Sequence, residues 1–284
     1  MNFIPFIKSY DDIRDEMNED LQYRLRTRQA KTSLGRPLYY RINVQLITTQ
    51  ECPFHCPFCL ERQNPMAGNN NFPAQIEALK RVLDEHPEAR LTITGGEPGL
   101  YPNHVVNVVE TYEKYSSNIF CSINTSGFST SLNGLAHINL SHNDYVTPNP
   151  EEFPGCTVQT VLENPTLAFI KEYMKMNASS FSFRFLSGFE KKDYPVDIWN
   201  DLQSDSEIDV HTFRIGDFFA YATFDYAGSH ARVTLGDMWQ QRHNDYQDGY
   251  SNIMIHPDGT IYDADASRPS DTRTTEIIDE QISK

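Results

Sequence analysis

Three cysteines fall within eight residues of this chain, in the run Cys52-Pro-Phe-His-Cys56-Pro-Phe-Cys59. The N-terminal residues lack the apolar core of a signal peptide. In such a chain, clustered thiols are typical of metal or iron–sulfur ligands rather than of a disulfide framework. Three thiolates hold a cubane [4Fe–4S] cluster with one iron left without a protein ligand. The fold therefore has to present one short loop whose three sulfur atoms reach a single centre.

A second motif, Thr94-Gly95-Gly96-Glu97-Pro98, follows the apolar run Leu91–Ile93, about one helix beyond the cysteines. Two glycines let a backbone come close to a ligand that a Cβ atom would block. A carboxylate beside them accepts strong, charge-assisted hydrogen bonds from an ammonium group. The motif therefore predicts a ligand site at Gly95, Gly96 and Glu97.

The two motifs, in this order, resemble the signature of the radical S-adenosylmethionine (SAM) superfamily, with Phe58 as the aromatic residue before the third cysteine. The resemblance implies one [4Fe–4S] cluster on the three cysteines and SAM on its open iron, with the methionyl amine held at the Gly-Gly-Glu motif. It also implies an enzyme that reductively cleaves SAM to a 5′-deoxyadenosyl radical, which abstracts hydrogen from a substrate. A flavodoxin- or ferredoxin-type reductant is the implied partner.

Later strand-like segments end on further polar residues. The resemblance, to the MoaA-like branch of the superfamily, implies additional contacts to SAM or to a substrate anion there. The implied residues are Asn124, Thr125, Ser141 and Arg184.

Beyond residue 40, short apolar runs alternate with segments of helical periodicity, which favours a parallel α/β architecture. Helices are predicted after Pro73, Pro102 and Pro165, and an irregular loop over Asn143–Gly155. The resemblance implies a partial (β/α)6 TIM-like barrel, in which the chemistry lies at the carboxyl ends of the strands. The predicted strands are Arg41–Thr48, Leu91–Thr94, Ile119–Asn124, Ala136–Ser141, Thr157–Leu162 and Ser180–Leu186.

Three domains are predicted. Residues 1–40 form a helical extension, residues 41–187 the partial barrel and residues 188–284 a small β-rich C-terminal cap that closes the barrel mouth.

Within that cap, Ile253–Tyr262 is typical of a hairpin with Asp-Gly at its tip. It resembles the hairpin of SPASM and twitch domains, which carry an auxiliary cluster. Here no cysteine follows Cys156, so no second cluster is expected, and no metal at Asp263 or Asp265. An ordinary hairpin over the barrel mouth is the alternative.

Composition excludes some classes of partner. The net charge of -15 disfavours nucleic acid, whose binding depends on neutralising phosphates. No apolar stretch approaches the roughly 20 residues needed to span a bilayer. Without a signal peptide, a cytoplasmic protein is expected.

Two non-catalytic alternatives also fit three cysteines. His55 and the cysteines match a Cys3His zinc site, although zinc ligands usually come in two separated pairs. An electron-transfer ferredoxin would need a fourth cysteine, yet Cys121 and Cys156 are predicted to be small core residues.

The substrate is predicted only by class. About 40 residues precede the predicted barrel, too few for the leader-binding domain of many peptide-modifying relatives. This favours a small metabolite, a nucleotide or a natural-product precursor. Modification of a ribosomal peptide or a protein side chain is the alternative.

Overall fold

A computed structural model of the chain describes residues 41–59, 69–162, 166–185, 197–214, 220–235 and 250–262. The chain divides into two compact units. The first unit comprises residues 39–139 and 249–284, and the second comprises residues 1–38 and 140–248. The helical extension predicted for residues 1–40 lies outside the described residues, as do Asp263 and Asp265.

The described residues contain eleven strands and four α-helices. The strands are β1 (Arg41–Ile47), β2 (Arg90–Thr94), β3 (Cys121–Thr125), β4 (His137–Ser141), β5 (Thr157–Leu162), β6 (Ser180–Phe185), β7 (Asp209–Arg214), β8 (Ala220–Tyr226), β9 (Ser229–Leu235), β10 (Tyr250–Ile255) and β11 (Ile261–Tyr262). The helices are α1 (Phe72–Glu85), α2 (Pro102–Tyr115), α3 (Leu167–Tyr173) and α4 (Asp197–Ser204).

The first unit is built on the strand order β11-β10-β1-β2-β3. Strands β10, β1, β2 and β3 run parallel, and only β11 is antiparallel. Parallel strands bring their carboxyl ends to one edge of the sheet, so the segments that follow β1, β2 and β3 emerge together. The predicted parallel α/β class is confirmed.

Helices α1 and α2 cover this sheet with apolar faces. The buried residues of α1 include Ala78, Leu79, Val82 and Leu83, which recur at helical spacing. Proline at the start of each helix costs no backbone hydrogen bond, because the first amides have no partner within the helix. The Asn71 side chain caps α1 by accepting a hydrogen bond from the Ala74 amide.

A buried polar network ties these helices to the sheet. The Gln75 amide donates to the carbonyl oxygens of Ile47 and His256, each at 2.7 Å. Because both of its hydrogens are used there, its Oε1 atom accepts a hydrogen bond, at 2.6 Å, from Nε2 of His104. The His104 ring also stacks on Phe72, with centroids 4.1 Å apart. One glutamine thus joins α2 to the ends of β1 and β10.

This network predicts a pH-dependent stability. Burial lowers the pKa of His104 from 6.5 to about 4, so the unfolded chain takes up the proton first. The stabilising contribution is therefore complete above pH 6.5 and is lost as the pH falls toward 4. We expect the unfolding free energy to fall by about 2 kcal/mol between pH 7 and pH 5, because His104 is protonated more readily in the unfolded chain. Urea unfolding of wild type and His104→Gln at both values measures the difference.

The matched control is His137→Gln, which changes an exposed histidine of β4. His104→Gln is expected to flatten the pH dependence more than His137→Gln does. Equal pH slopes in all three proteins would contradict the assignment.

The second unit has the strand order β5-β6-β9-β8-β7. Strands β5, β6 and β9 are parallel, and β9, β8 and β7 form an antiparallel meander. Phe181, Phe183 and Phe224 are fully or almost fully buried in its core. The irregular loop predicted over Asn143–Gly155 contains one isolated bridge and a short 3-10 turn.

The C-terminal hairpin is present, but its place in the fold differs from the prediction. Strand β10 pairs in parallel with β1 over six residues, and β11 folds back onto β10 around the Asp-Gly tip. The pairing satisfies backbone groups and buries Ile253 and Ile255. Residues 250–262 therefore extend the sheet of the first unit, whereas a separate cap was predicted.

In the part of the chain that the structure describes, no helix is long and apolar enough to cross a bilayer.

Candidate functional site

The cysteine loop (Cys52–Cys59) follows β1 at the carboxyl edge of the first unit. All three of its cysteines are half-buried, and the Cys59 amide donates to the Cys56 carbonyl oxygen at 3.2 Å. The five cysteines of the chain are all described, and all are reduced thiols. The loop therefore holds three thiols close in sequence, each partly accessible.

The two remaining cysteines have a different character. Burial raises the pKa of Cys121 to about 12, with a smaller contribution from Glu113, and burial also raises the pKa of Cys156. A buried thiol that resists ionisation makes a poor metal ligand, because the thiolate is the ligand. Cys156 is buried, as predicted for a small core residue, whereas Cys121 is half-buried.

The residues that lead into the cysteine loop are held by the second motif. We call Thr48–Glu51 the lead-in segment and Gly95–Pro98 the GGEP turn. The Thr48 amide donates to the Thr94 carbonyl oxygen at 2.8 Å. In the opposite direction, the Gly96 amide donates to the carbonyl oxygen of Thr49 at 2.6 Å. The Glu97 amide donates to the carbonyl oxygen of Glu51 at 2.8 Å. The ladder between β1 and β2 thus continues past both strands, up to the residue before Cys52.

Close packing explains both glycines of the turn. Gly95 has φ +122°, and a Cβ there would lie 2.6 Å from the Thr49 carbonyl oxygen. A Cβ on Gly96 would overlap the carbonyl oxygen of Glu51. The sequence suggested that a ligand's approach requires these glycines, whereas in this structure the backbone of the lead-in segment requires them.

The side chain of Glu97 is fully buried and has four internal donors. Its Oε1 atom accepts hydrogen bonds from the Gly99 amide at 2.7 Å and the Thr125 hydroxyl at 2.6 Å. Its Oε2 atom accepts from the amide of Ser126, at 2.7 Å, and from the Ser126 hydroxyl. This carboxylate therefore joins the GGEP turn to the end of β3. Its predicted contact with the SAM amine stays a prediction.

The other predicted residues divide between the two units. Asn124 and Thr125 end β3 in the first unit, where Oδ1 of Asn124 accepts a hydrogen bond from Asn139 at 2.9 Å. Half-buried Phe58 lies in the cysteine loop. Ser141 ends β4 and exposed Arg184 lies near the end of β6, both in the second unit. The structure thus brings the cysteines, the GGEP turn, Asn124 and Thr125 to one edge of the first unit.

Sequence reasoning missed the residues that hold Glu51. Its carboxylate accepts hydrogen bonds from the Tyr101 hydroxyl at 2.8 Å and the Asn70 amide at 3.2 Å. Both partners are distant along the chain, and neither lies in a recognisable motif. Sequence reasoning also missed the network around Gln75. A glutamine on an otherwise apolar helix face was the signal in the sequence that could have indicated this network.

A family profile described as the radical SAM superfamily matches residues 46–155. The match begins at the end of β1 and includes the cysteine loop, the GGEP turn and the end of β3. The chain contains a radical SAM domain.

Two curated relatives are each 30% identical to the chain. One is a probable GTP 3′,8-cyclase of Thermococcus kodakarensis, aligned over 107 residues that cover 37% of this chain and 34% of the relative. The other, of the same description, is from Thermoplasma volcanium and aligns over 115 residues, 38% of this chain and 33% of the relative. The similarity to this radical SAM domain thus spans about a third of each relative.

A solved structure agrees at the level of the fold. The Streptococcus suis protein SuiB, in a crystal structure bound to S-adenosylmethionine, has a TM-score of 0.52 and 14% sequence identity to the chain. The alignment covers 90% of this chain and 66% of SuiB.

The residues of this radical SAM domain fit the cofactors that the superfamily uses, a [4Fe–4S] cluster and SAM. Three half-buried thiols in one loop match the donor set of an iron–sulfur cluster. At the end of β3, the amide NH2 of half-buried Asn124 has no hydrogen-bond partner among the described residues and is available to a ligand. Together these groups provide soft donors for iron and a polar donor at the same edge of the sheet.

Proposed function

We propose that the chain is a radical SAM enzyme that reductively cleaves S-adenosylmethionine and abstracts hydrogen from a small molecule. A metabolite, a nucleotide or a natural-product precursor is the proposed substrate class. The observation that carries the proposal is the anchoring of the cysteine loop. The GGEP turn, which matches the superfamily's second motif, is hydrogen-bonded to the backbone that leads directly into Cys52.

The cysteines are proposed to hold the cluster as thiolates, with Phe58 packed beside them. When bound, the cluster and SAM supply the one-electron chemistry, for which an external donor of the flavodoxin or ferredoxin class is proposed. The three cysteines are half-buried, which limits the access of water to their sulfur atoms.

The GGEP turn and the end of β3 are proposed to form the SAM side of the site. In this arrangement Glu97 holds the turn against Thr125 and Ser126, so that backbone groups of Gly95 and Gly96 and the Asn124 amide stay in fixed positions. Groups that are already in place lose less entropy when a ligand binds. Ser141 and Arg184 remain proposed contacts of SAM or of a substrate anion.

A small-molecule substrate has one further support. Both curated relatives are named for an activity on GTP, which is a small nucleotide. Modification of a peptide or of a protein side chain is the alternative outcome of a substrate screen.

The test is SAM cleavage by anaerobically reconstituted protein with a strong reductant. We expect slow formation of 5′-deoxyadenosine and methionine without any added substrate, and faster formation when a true substrate is present. Liquid chromatography with mass spectrometry measures both products.

Cys56→Ala is the matched control and is expected to form no 5′-deoxyadenosine. Stoichiometric zinc with no iron would contradict the proposal and favour the Cys3His alternative. A fully loaded cluster in a protein that never binds SAM would favour an electron carrier instead.

A further inference from the structure

Two imidazoles and a carboxylate meet on the exposed face of β7, β8 and β9, far in sequence from the cysteine loop. Asp225 accepts from both rings: its Oδ2 atom lies 2.8 Å from Nε2 of His211, and its Oδ1 atom lies 2.8 Å from Nδ1 of His230. One ligand atom from each of the three residues lies within 4.8 Å of the ligand atoms of the other two. The side chains are 40%, 46% and 53% exposed, so an ion from solvent can reach them.

The strand geometry builds this cluster by two separate devices. Asp225 and His230 are directly opposite each other across the tight turn between β8 and β9, in which Ala227 and Gly228 both have positive φ. His211 lies where the register between β7 and β8 shifts. Such a bulge turns a side chain away from its regular direction. Here it brings the His211 ring onto Asp225.

A like-charge pair on the same face also favours a bound cation. Asp209 of β7 pairs in register with Asp225 of β8. Like charges directly opposite each other on neighbouring strands are destabilising. The other face of these strands carries buried apolar residues such as Phe224 and Val233, so the unit does not need the acidic pair for its core. A cation held between the strands would offset the repulsion.

We propose that His211, Asp225 and His230 bind a divalent transition-metal ion of the zinc class, with water completing its coordination. Imidazole and carboxylate groups are the ligands that zinc takes with metal–ligand distances of about 2.0–2.2 Å. Tetrahedral geometry then separates ligand atoms by about 3.3 Å. In this structure each ring nitrogen lies 2.8 Å from a different oxygen of the Asp225 carboxylate. Small rotations of exposed side chains accommodate the ion. The site lies wholly in the second unit and is independent of the radical SAM chemistry.

The experiment uses the reconstituted, cluster-loaded chain under anaerobic conditions, with Zn²⁺ and Co²⁺ as probes. We expect one zinc per chain beyond the cluster iron, and visible ligand-field absorption when Co²⁺ replaces it. His211→Ala, His230→Ala and Asp225→Asn are each expected to weaken zinc binding about tenfold or more, without changing the iron content. His137→Ala, an exposed histidine outside the cluster, is the matched control.

Two safeguards keep the test decisive. Asp225→Asn preserves the shape of the side chain, so it reports on binding even if an alanine variant folds poorly, and circular dichroism checks each variant. A chain in which all three loop cysteines are alanine is expected to retain the zinc site, which excludes binding by unloaded thiols. Equal zinc affinity in wild type and in the His211→Ala/His230→Ala double variant would overturn the proposal and leave only a hydrogen-bonded cross-strand cluster.

Discussion

Replacing Cys52, Cys56 or Cys59 with alanine is expected to abolish iron loading, because two thiolates and an open edge do not retain a cubane cluster. Wild-type protein reconstituted without oxygen is expected to bind about four irons per chain, the content of one [4Fe–4S] cluster. Iron and sulfide assays, with the visible absorption of the cluster, measure the loss. No other single change in the described site is expected to have so large an effect.

Cys121→Ala and Cys156→Ala are the matched controls and are expected to keep full iron content. Burial raises the pKa of both thiols, so they remain protonated and unsuited to iron. Loss of iron in either control would show that a fourth cysteine binds the cluster. About eight irons in the wild type would show a second cluster, contrary to expectation.

Glu97→Ala is expected to lower the unfolding free energy by about 3 kcal/mol or more. The change leaves the buried donors of Gly99 and Thr125, and the half-buried donors of Ser126, without their acceptor. Each buried unsatisfied group costs about 1–3 kcal/mol. Glu97→Gln is expected to recover part of the loss, since its remaining oxygen still accepts. Denaturant unfolding measures the change, and Glu77→Ala on the exposed face of α1 is the control, expected within about 0.5 kcal/mol of wild type.

Ligand binding by Glu97→Ala distinguishes two possible roles of the Glu97 carboxylate. If the carboxylate acts through the GGEP turn, Glu97→Ala weakens binding of SAM and of a SAM analogue without the methionyl amine by the same factor. If the carboxylate binds the amine directly, as the sequence predicts, only SAM binding weakens. The internal donors of Glu97 lead us to expect equal losses.

Several parts of the fold were predictable because their signals are local. The six predicted strands of residues 41–186 are all present, with ends that differ by at most two residues. Their apolar runs are bounded by turn residues, and proline marks the starts of α1 and α2. The cysteine spacing and the Gly-Gly-Glu motif are equally local. Residues only a few positions apart in the sequence must also be close in space.

The pairing of β10 with β1 had no such signal. These strands are separated by about two hundred residues, and their contact consists of backbone hydrogen bonds that almost any sequence can form. A hairpin signal predicts two strands and their turn, and it carries no information about the neighbour on the outer side. For this reason the sequence did not predict that residues 250–262 extend the sheet at β1.

The amino-acid sequence by itself determined the chemistry of the candidate site, because the identity and spacing of Cys52, Cys56 and Cys59 restrict the metal centres that can form. Only the tertiary structure decided how that loop is held. Two of the three residues that bind Glu97, Thr125 and Ser126, lie 28 and 29 residues farther along the chain, at the end of another strand. A carboxylate beside two glycines suits an external ammonium group or an internal clamp equally well. The two are distinguished by burial, which depends on the packing of the whole sheet.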